Sequence, residues 1–360
     1  MTSLLDILKK KITENGPLSL EDYMREALLH PKFGYYQTGH TFGAKGDFVT
    51  SPEISQMFGE LIGLWCVDCW IKLNSPSKIH LIELGPGNGT LMNDALRSAA
   101  LAPDFLNAAE IHLVEASQHL TGIQKKNLSR HSVNWSEEWP ILEDNAPIIV
   151  IGNEFLDALP IRQFELKDKQ WMERSVTLTD GELDFCLADM PKSSVPINLP
   201  TPIDCAESSI TEVNPGAELL ISQIAKIISK KGGSALFIDY GPAKSSLGDS
   251  FQSVKRHEYS NPLQDPGASD LTAHVDFERL RFLAEGKYCE TAPIETQGRF
   301  LERLGIEARA LILSRNADEK QKSQIASDMK RLVSTEEMGT LFKAMTFYSN
   351  MAAPPAGFGI

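Results

Sequence analysis

The stretch IHLIELGPGNGT, residues 79–90, decides the fold. Its first six residues are mostly apolar and suit a short buried strand, and the turn that follows has glycine at every second position. A helix is predicted to begin at about Thr90. A strand, a glycine turn and a helix start aim backbone N–H groups at a ligand, so the stretch predicts a nucleotide-like ligand at a strand end.

The spacing of the glycines separates two classes of ligand. A dinucleotide fingerprint needs G-x-G-x-x-G/A, and its third small residue would fall at position 90, which is Thr. The order Glu-x-Gly-x-Gly-x-Gly, which starts at Glu83, instead resembles motif I of class I methyltransferases. Their cofactor, S-adenosylmethionine, carries a carboxylate, an ammonium and a sulfonium, so the loop must approach closely while Glu83 helps to hold the cationic side.

Glu115 closes the next predicted strand and supports the same ligand. It lies 30 residues after Gly85, whereas a dinucleotide site expects its acid after about 20 residues. Its carboxylate can accept two hydrogen bonds from the ribose hydroxyls. A plain tight turn and a dinucleotide site remain the alternatives. The residues predicted here to bind S-adenosylmethionine are Glu83, Gly85, Gly87, Gly89 and Glu115.

Strand patterns alternate with helical patterns along most of the chain. Such alternation predicts an α/β fold of the Rossmann-like class I methyltransferase type, with a mostly parallel, doubly wound sheet. Function in such sheets lies at the carboxyl ends of the strands. Besides 79–84, the predicted strands are 111–115, 132–135, 147–154 and 234–240.

The predicted domain division has two parts. Residues 1–76 form an N-terminal helical cap with a lid loop, and residues 77–360 form the methyltransferase domain. A β-rich insertion near 161–212 breaks the alternation; it reads as a β-meander with a hairpin turn at Asp180-Gly181. The tail from Ala352 to Ile360 is rich in Pro, Gly and Ala and is predicted to be loose.

A glycine- and aromatic-rich segment precedes Ser51-Pro52, where a helix is predicted with Ser51 as N-cap and Pro52 in the first turn. Asp47, Thr50 and Ser51 are predicted to contact the cofactor as part of a lid over it. The alternative is that these three residues only form the N-cap turn.

Composition limits the partners. The formal net charge of −13 argues against nucleic acid, which needs a positive face. Five cysteines without regular spacing predict no disulfide framework, and Cys66 and Cys69 are predicted to be buried helix cysteines, so no metal site is predicted. Without a signal-like or membrane-spanning run, we expect a soluble cytoplasmic protein, or a mitochondrial matrix protein if the sequence is a processed form. The oligomeric state stays open.

Five segments in the same order resemble the MidA family, which includes mitochondrial complex I assembly-factor methyltransferases and bacterial members. The resemblance runs from about Leu18 to about residue 350 and implies a class I methyltransferase. Mitochondrial members of the family are associated with arginine methylation of a complex I core subunit, which implies a protein substrate. The segments are GDFVTSPEIS (46–55), ELGPGNGT (83–90), NEFLDALP (153–160), DYG (239–241) and DPGASDLTAHVDF (265–277).

An arginine acceptor requires carboxylates, because a guanidinium stays protonated at neutral pH and must be held by bidentate hydrogen bonds. Asn153 and Glu154 end a predicted strand, where Asn153 is predicted to bind the cofactor and Glu154 to orient the acceptor. Asp157 or Asp270 is the second carboxylate, and His274 is the candidate for taking the proton. The alternatives are a helix cap for Glu154 and a structural hydrogen bond for His274.

Three functions follow from these observations. The first is protein arginine methylation linked to assembly of respiratory complex I. The second is methylation of a small molecule. The third is a methyltransferase fold without catalysis that serves as an assembly chaperone, against which the intact glycines and Glu115 argue.

Overall fold

The computed structural model describes residues 3–37, 49–188, 196, 199–255, 258–286 and 288–359. The α-helices are α1 Leu4–Asn15, α2 Leu20–Leu29, α3 Ser51–Ile54, α4 Gln56–Lys72, α5 Thr90–Ala99, α6 Pro103–Ala108, α7 Gln118–Asn127, α8 Pro215–Lys231, α9 Phe277–Ala284, α10 Gln297–Leu304, α11 Ile306–Ser314, α12 Glu319–Val333 and α13 Met338–Leu341. The strands are β1 Leu18–Ser19, β2 Ile79–Leu84, β3 Ala109–Val114, β4 Val133–Ser136, β5 Ile148–Asn153, β6 Arg162–Lys167, β7 Gln170–Thr179, β8 Glu182–Ala188, β9 Ile210–Val213, β10 Gly233–Tyr240, β11 Gln252–Lys255, β12 Glu258–Ser260, β13 Asp270–Thr272, β14 Glu290–Thr291, β15 Glu295–Thr296 and β16 Phe342–Ser349. Among these helices, none is both long and apolar enough to cross a bilayer.

A central sheet organises the chain, in the order β14-β16-β10-β5-β2-β3-β4, with β15 also paired to β16. Within this sheet the five strands β10, β5, β2, β3 and β4 run parallel to one another, and β16 runs antiparallel to β10. The order reverses at β2, so the carboxyl ends of β2 and β5 border a crevice. The predicted mostly parallel, doubly wound α/β sheet is therefore confirmed.

Helices cover both faces of this sheet, which explains why every residue of β2 and β5 is buried. Helices α4 and α5 pack on one face, and α8 and α9 pack on the other. Gly63 lets α4 approach α5, since a Cβ there would lie 2.3 Å from the Ala95 carbonyl oxygen. Cys66 and Cys69 are buried in α4, as predicted.

The helix predicted to open with Ser51 as N-cap differs in the structure. Ser51 is the first residue of the short helix α3, Thr50 occupies the N-cap position, and the helix ends at Ile54. Ser55 is extended, with φ −155° and ψ 137°, and its side chain accepts a hydrogen bond from the Met57 N–H. Ser55 is thus the N-cap of α4, which begins as a separate helix because a capping side chain competes with continuation of the helix before it.

The segment predicted as a β-meander forms a second sheet. Strands β6, β7, β8 and β9 are antiparallel, and Asp180 and Gly181 occupy a turn with φ of 52° and 83°. Leu18 and Ser19 also pair with β7, so the N-terminal segment joins this sheet. The division at residue 76 stays a prediction. A third sheet of β11, β12 and β13 follows β10.

The tail predicted to be loose is packed instead. The Ala352 N–H donates to the Lys72 carbonyl oxygen at 2.8 Å, and the Ala356 N–H donates to Asp68 Oδ2 at 2.9 Å. Phe358 is buried with its ring centroid 5.1 Å from that of Phe300. Burial of the Phe358 ring stabilises the packed tail despite its content of Pro, Gly and Ala, because an aromatic ring buries a large apolar area.

Candidate active site

The glycine loop connects β2 to α5 at the carboxyl edge of the central sheet. Gly85, Gly87 and Gly89 have φ of 60°, 53° and 78°, a region that side chains disfavour. A Cβ on Gly85 would also lie 2.6 Å from Cδ2 of Phe155. The loop therefore needs glycine both for its backbone conformation and for close contact with the next loop along the sheet edge.

Glu115 lies beside this loop, as the sequence predicts. Its Oε1 accepts from the Ser117 N–H at 2.8 Å, and its Oε2 accepts from Gln124 Nε2 at 3.0 Å. Burial raises the pKa of Glu115 to about 7, while the Ser117 and Gln124 hydrogen bonds act in the opposite direction. A carboxylate has about four acceptor positions, so these bonds leave room for a ribose hydroxyl.

Gln124 is a residue that sequence reasoning missed. Besides Glu115, its Nε2 contacts the Gly87 carbonyl oxygen at 2.8 Å, and its Oε1 accepts from Trp135 Nε1 at 3.2 Å. Gln124 thereby fixes the position of Glu115 relative to the glycine loop. A glutamine in the middle of a helix carries no signal of this role unless the packing of α7 on the loop is known.

Glu83 and Asn153 have acceptor atoms that fit a cationic ligand group. Within the described residues, neither Glu83 Oε2 nor Asn153 Oδ1 has a hydrogen-bond partner, although both atoms are buried. Burial, and secondarily the negative charge of Glu115, raises the pKa of Glu83 to about 8. Buried acceptors of this kind need a donor, and an ammonium group supplies one.

The remaining wall of this cleft is apolar. A cavity of about 270 Å³ is lined by both glycine-loop and Glu115 atoms together with Leu120, Phe155 and Leu159. A flat aromatic base fits such walls, because apolar surface loses contact with water when it is covered. Polar acceptors at one end and apolar walls at the other suit S-adenosylmethionine.

The N-terminal segment closes the cleft from the other side. Thr50 lines it, and the Ser51 N–H donates to Glu154 Oε1 at 2.7 Å, so Ser51 holds an acid rather than the glycine loop. Glu53, which sequence reasoning did not select, accepts from Thr90 Oγ1 at 2.6 Å and from Asn88 Nδ2 at 3.3 Å. Asp47 lies outside the described residues.

A second cavity, of about 280 Å³, adjoins the cofactor cleft. Glu154, Asp157, Asp270 and His274 all line it, so the structure brings the four predicted acceptor residues together. Glu154 also lines the cofactor cleft, which places its carboxylate at the junction of the two spaces. The cavity also has aromatic walls, made by Tyr36, Tyr240, Tyr259 and Phe342.

Asp239 holds the loop that carries these acids, a role the sequence did not reveal. Its Oδ2 accepts from the backbone N–H groups of residues 155–157 at 3.1, 2.8 and 3.3 Å. Glu154, the residue just before these three, has a left-handed backbone conformation, with φ 49°. Burial, followed by the charge of Glu154, raises the pKa of Asp239 to about 7.

Burial also raises the pKa values of the cavity acids. For Asp157 burial acts first and the charges of Asp239, Asp270 and Glu154 add to it, so its pKa lies well above the usual range. Burial raises the pKa of Glu154, against hydrogen bonds from Ser51 and Asn153. A cation bound beside these carboxyls would favour their ionised forms.

His274 lies at the exposed rim of the cavity. Its backbone N–H donates to Ser250 Oγ at 2.8 Å, and its ring meets that of Tyr240 edge to face at 5.6 Å. Partial burial, and secondarily the charge of Lys343, lowers the pKa of His274, which favours the neutral ring. A neutral imidazole can accept a proton.

Known proteins resemble the chain along almost its whole length. Residues 61–294 match a family described as S-adenosyl-L-methionine-dependent methyltransferases. The chain is 35% identical to the mitochondrial protein arginine methyltransferase NDUFAF7 homolog of Drosophila melanogaster, over 98% of this chain and 86% of that protein. It is 33% identical to mitochondrial protein arginine methyltransferase NDUFAF7 of Homo sapiens, over 95% and 82%. These names give no support to the cytoplasmic location that the sequence predicts.

Solved structures agree with the fold. A crystal structure from Burkholderia thailandensis with bound S-adenosyl-homocysteine superposes with a TM-score of 0.84 at 24% identity, covering 98% of this chain and 93% of that one. A native crystal structure from the same organism gives 0.84 at 25% identity, covering 99% and 94%. The glycine loop with Glu83 and Glu115 beside it agrees with the family match. The chain belongs to the MidA-like family of S-adenosylmethionine-dependent methyltransferases.

Proposed function

We propose that this methyltransferase transfers its methyl group to an arginine side chain of a protein. The observation that carries the proposal is the acid-lined cavity, which shares Glu154 with the cofactor cleft. Asp157 and Asp270 are both buried in its wall. A guanidinium keeps its charge at any ordinary pH, so it would balance the negative charge of these carboxylates. A neutral substrate would leave that charge without a counter-ion from the substrate.

The cavity residues have separate tasks in this reaction. Bound S-adenosylmethionine supplies an electrophilic methyl group, whose bond to sulfur breaks as its bond to the guanidinium nitrogen forms. Glu154 accepts hydrogen bonds from the guanidinium and orients one nitrogen, which converts binding into a large proximity effect. The methylated nitrogen then loses one proton, for which the neutral ring of His274 at the cavity rim is the acceptor we propose. Asp157 and Asp270 hold the remaining charge.

The names of the relatives support the choice of acceptor and compartment. Both are called protein arginine methyltransferases and both are called mitochondrial. We therefore propose a protein substrate and favour the mitochondrial compartment over the cytoplasm. A subunit of respiratory complex I is the candidate acceptor that the MidA resemblance implies.

Radiolabelled methyl transfer tests the proposal. The protein is incubated with labelled S-adenosylmethionine and a lysate from cells that lack it, and the labelled residue is mapped by mass spectrometry. We expect label on arginine of one protein. Label on lysine, or only in the small-molecule fraction, would contradict the proposal.

The Glu154→Gln variant tests the role of the shared acid. It keeps the shape and a hydrogen-bonding amide oxygen but removes the charge, so transfer should fall at least about 100-fold while cofactor affinity changes less than about threefold. Glu143→Gln, in an exposed loop, is the matched control. Full methyl transfer by Glu154→Gln would show that Glu154 does not orient the acceptor.

A further inference from the structure

Two histidines and an acid share one face of the central sheet, at the amino ends of its strands. His80 lies on β2, and Glu110 and His112 lie on β3. His80 pairs in register with Glu110, and Ile82 pairs with His112, so the alternation of side chains brings all three to the same face. The other residues of that face, such as Ile82 and Leu84, belong to an apolar core.

The three side chains are close and largely buried. His80 is 3% exposed and His112 is 6% exposed, with His80 Nδ1 3.1 Å from His112 Nε2. Each of these nitrogens lies 3.6 Å from an oxygen of Glu110. Glu110 is more open, with its side chain 38% exposed, and gives access from solvent.

These separations are close to those between the ligands of a zinc site. Ligand atoms at about 2.0–2.1 Å from Zn²⁺ in a tetrahedron lie about 3.3–3.4 Å from one another. The two ring nitrogens are 3.1 Å apart, and each lies 3.6 Å from its nearer Glu110 oxygen, which is Oε2 for His80 and Oε1 for His112. We propose that His80 Nδ1, His112 Nε2 and the carboxylate of Glu110 bind Zn²⁺, with a water completing the coordination. This site departs from the sequence analysis, which predicts no metal.

Asp144 supports the proposal by orienting His80. Its Oδ1 lies 2.8 Å from His80 Nε2. A proton on Nε2 is held by this carboxylate, which leaves the lone pair of Nδ1 directed at His112 and Glu110. Histidine ligands of metals commonly have such an outer carboxylate, which fixes the tautomer and makes the ring a better ligand.

The competing arrangement is a hydrogen-bonded histidine pair, with Lys78 supplying the positive charge. Lys78 Nζ lies 2.9 Å from Glu110 Oε2 and 2.7 Å from Asp144 Oδ2. Because Lys78 has two acceptors, it keeps Asp144 when Glu110 turns one oxygen to the metal. In the competing arrangement Lys78 and Asn134, whose Nδ2 donates to Glu110 Oε1 at 3.3 Å, account for the position of Glu110, so zinc binding itself distinguishes the two arrangements.

The site lies at the opposite edge of the sheet from the glycine loop, since β2 and β3 run parallel and reach the cofactor at their other ends. It therefore has no part in methyl transfer. The metal would fasten β2 to β3, and through Asp144 to the loop before β5. Its consequence is a more stable strand edge, because a metal that binds only the folded chain favours folding.

The experiment uses the full chain with zinc and with cobalt. After metal removal by chelation, we expect one Zn²⁺ per chain, and a rise in Tm of about 3–4 °C at a Zn²⁺ concentration about 100-fold above Kd. Co²⁺ should give the visible absorption of a four-coordinate nitrogen and oxygen site without a thiolate band. That last feature excludes binding by the five free cysteines.

Variants connect the metal to these residues. Glu110→Gln, at the half-exposed member, should keep the fold and lose the stoichiometric zinc, and His112→Gln should do the same. Asp144→Asn should weaken zinc affinity by about 10–100-fold. His119→Gln, exposed on α7, is the matched control and should behave as the unaltered chain. Equal zinc binding by Glu110→Gln and His119→Gln, or no zinc-dependent rise in Tm, would leave a hydrogen-bonded histidine pair and overturn the proposal.

Discussion

Glu83 should control the pH dependence of cofactor binding. Its carboxyl is buried beside the glycine loop, and burial raises its pKa to about 8. The ammonium group of S-adenosylmethionine interacts favourably only with the ionised carboxylate, so cofactor binding expels the proton of Glu83. The apparent Kd then equals the intrinsic Kd divided by the fraction of protein that is ionised.

The expected magnitude follows from the two raised pKa values. At a pKa of about 8, Glu83 is about 1% ionised at pH 6 and about 9% at pH 7, which strengthens binding about tenfold. Glu115, with a pKa of about 7, goes from about 9% to about 50% ionised and adds about fivefold. The cofactor's own amino group stays mostly protonated through pH 7, because α-amino groups have a pKa of about 7.7–8.0.

Isothermal titration at pH 6 and pH 7, in buffers of different ionisation enthalpy, measures both affinity and released protons. The unaltered chain should bind about 50-fold more tightly at pH 7, with release of more than about one proton. Glu83→Gln should retain only the roughly fivefold change from Glu115. Glu143→Gln is exposed and should keep the full change. An undiminished pH dependence in Glu83→Gln would refute the assignment of Glu83.

The same proton links Glu83 to the stability of the cofactor-free chain. The folded pKa of about 8 exceeds the ordinary value of 4.5, so the folded state binds more protons between these values and stability falls as pH rises. At pH 7 the loss relative to acid conditions is about 3 kcal/mol from this group, at about 1.4 kcal/mol per pH unit. Glu83→Gln should remove that slope from urea unfolding measured at several pH values.

Three further substitutions test particular contacts. Gly63→Ala places a Cβ 2.3 Å from the Ala95 carbonyl oxygen and should lower the free energy of unfolding by about 1–3 kcal/mol. Gly122→Ala meets open space on α7 and should raise the free energy of unfolding by about 0.5–1 kcal/mol. Urea unfolding of both variants separates the effect of packing from that of helix propensity. Gln124→Ala removes the donor to Glu115 Oε2 and the side-chain donor to the Gly87 carbonyl oxygen, and should raise the cofactor Kd about tenfold by titration; an unchanged Kd would limit Gln124 to folding. His274→Gln should lower kcat by at least about 100-fold with unchanged cofactor Kd, and an unaltered kcat would assign the proton to another acceptor.

The sequence predicts the central sheet well because its strands are short apolar runs with punctuated ends. In β2 and β5 all residues are buried, so burial on two faces appears in the sequence as a mostly apolar run. Parallel strands end at one edge, and polar residues at those ends therefore meet. Glu83, Glu115 and Glu154 are accordingly predicted as site residues from local pattern together with family resemblance.

Residues that act through distant contacts were not predictable in this way. Thr50 is the N-cap of α3 and Ser55 is the N-cap of α4, and the short helix between them places Glu53 against Asn88 of the glycine loop and Thr90 of α5. Gln124 and Asp239 are ordinary in the sequence, and their roles depend on which backbone groups they face after folding. Hydrogen bonds that join positions 37 or 84 residues apart leave no periodic signal.

The grouping of acids around the acceptor cavity is unfavourable for the fold and favourable for the proposed reaction. Asp157 and Asp239 have pKa values raised by burial and by neighbouring charge, so the substrate-free chain keeps protons on them at the expense of stability at higher pH. A guanidinium brings positive charge to the same place and allows those protons to leave. A lysine ammonium also brings charge, but as one point, whereas acids at several positions match the planar fork of arginine. It follows that KM for an arginine peptide should fall as pH rises toward 7. Replacing the arginine by lysine should raise KM and abolish measurable transfer, because an ammonium has no lone pair to attack the methyl group until it loses a proton.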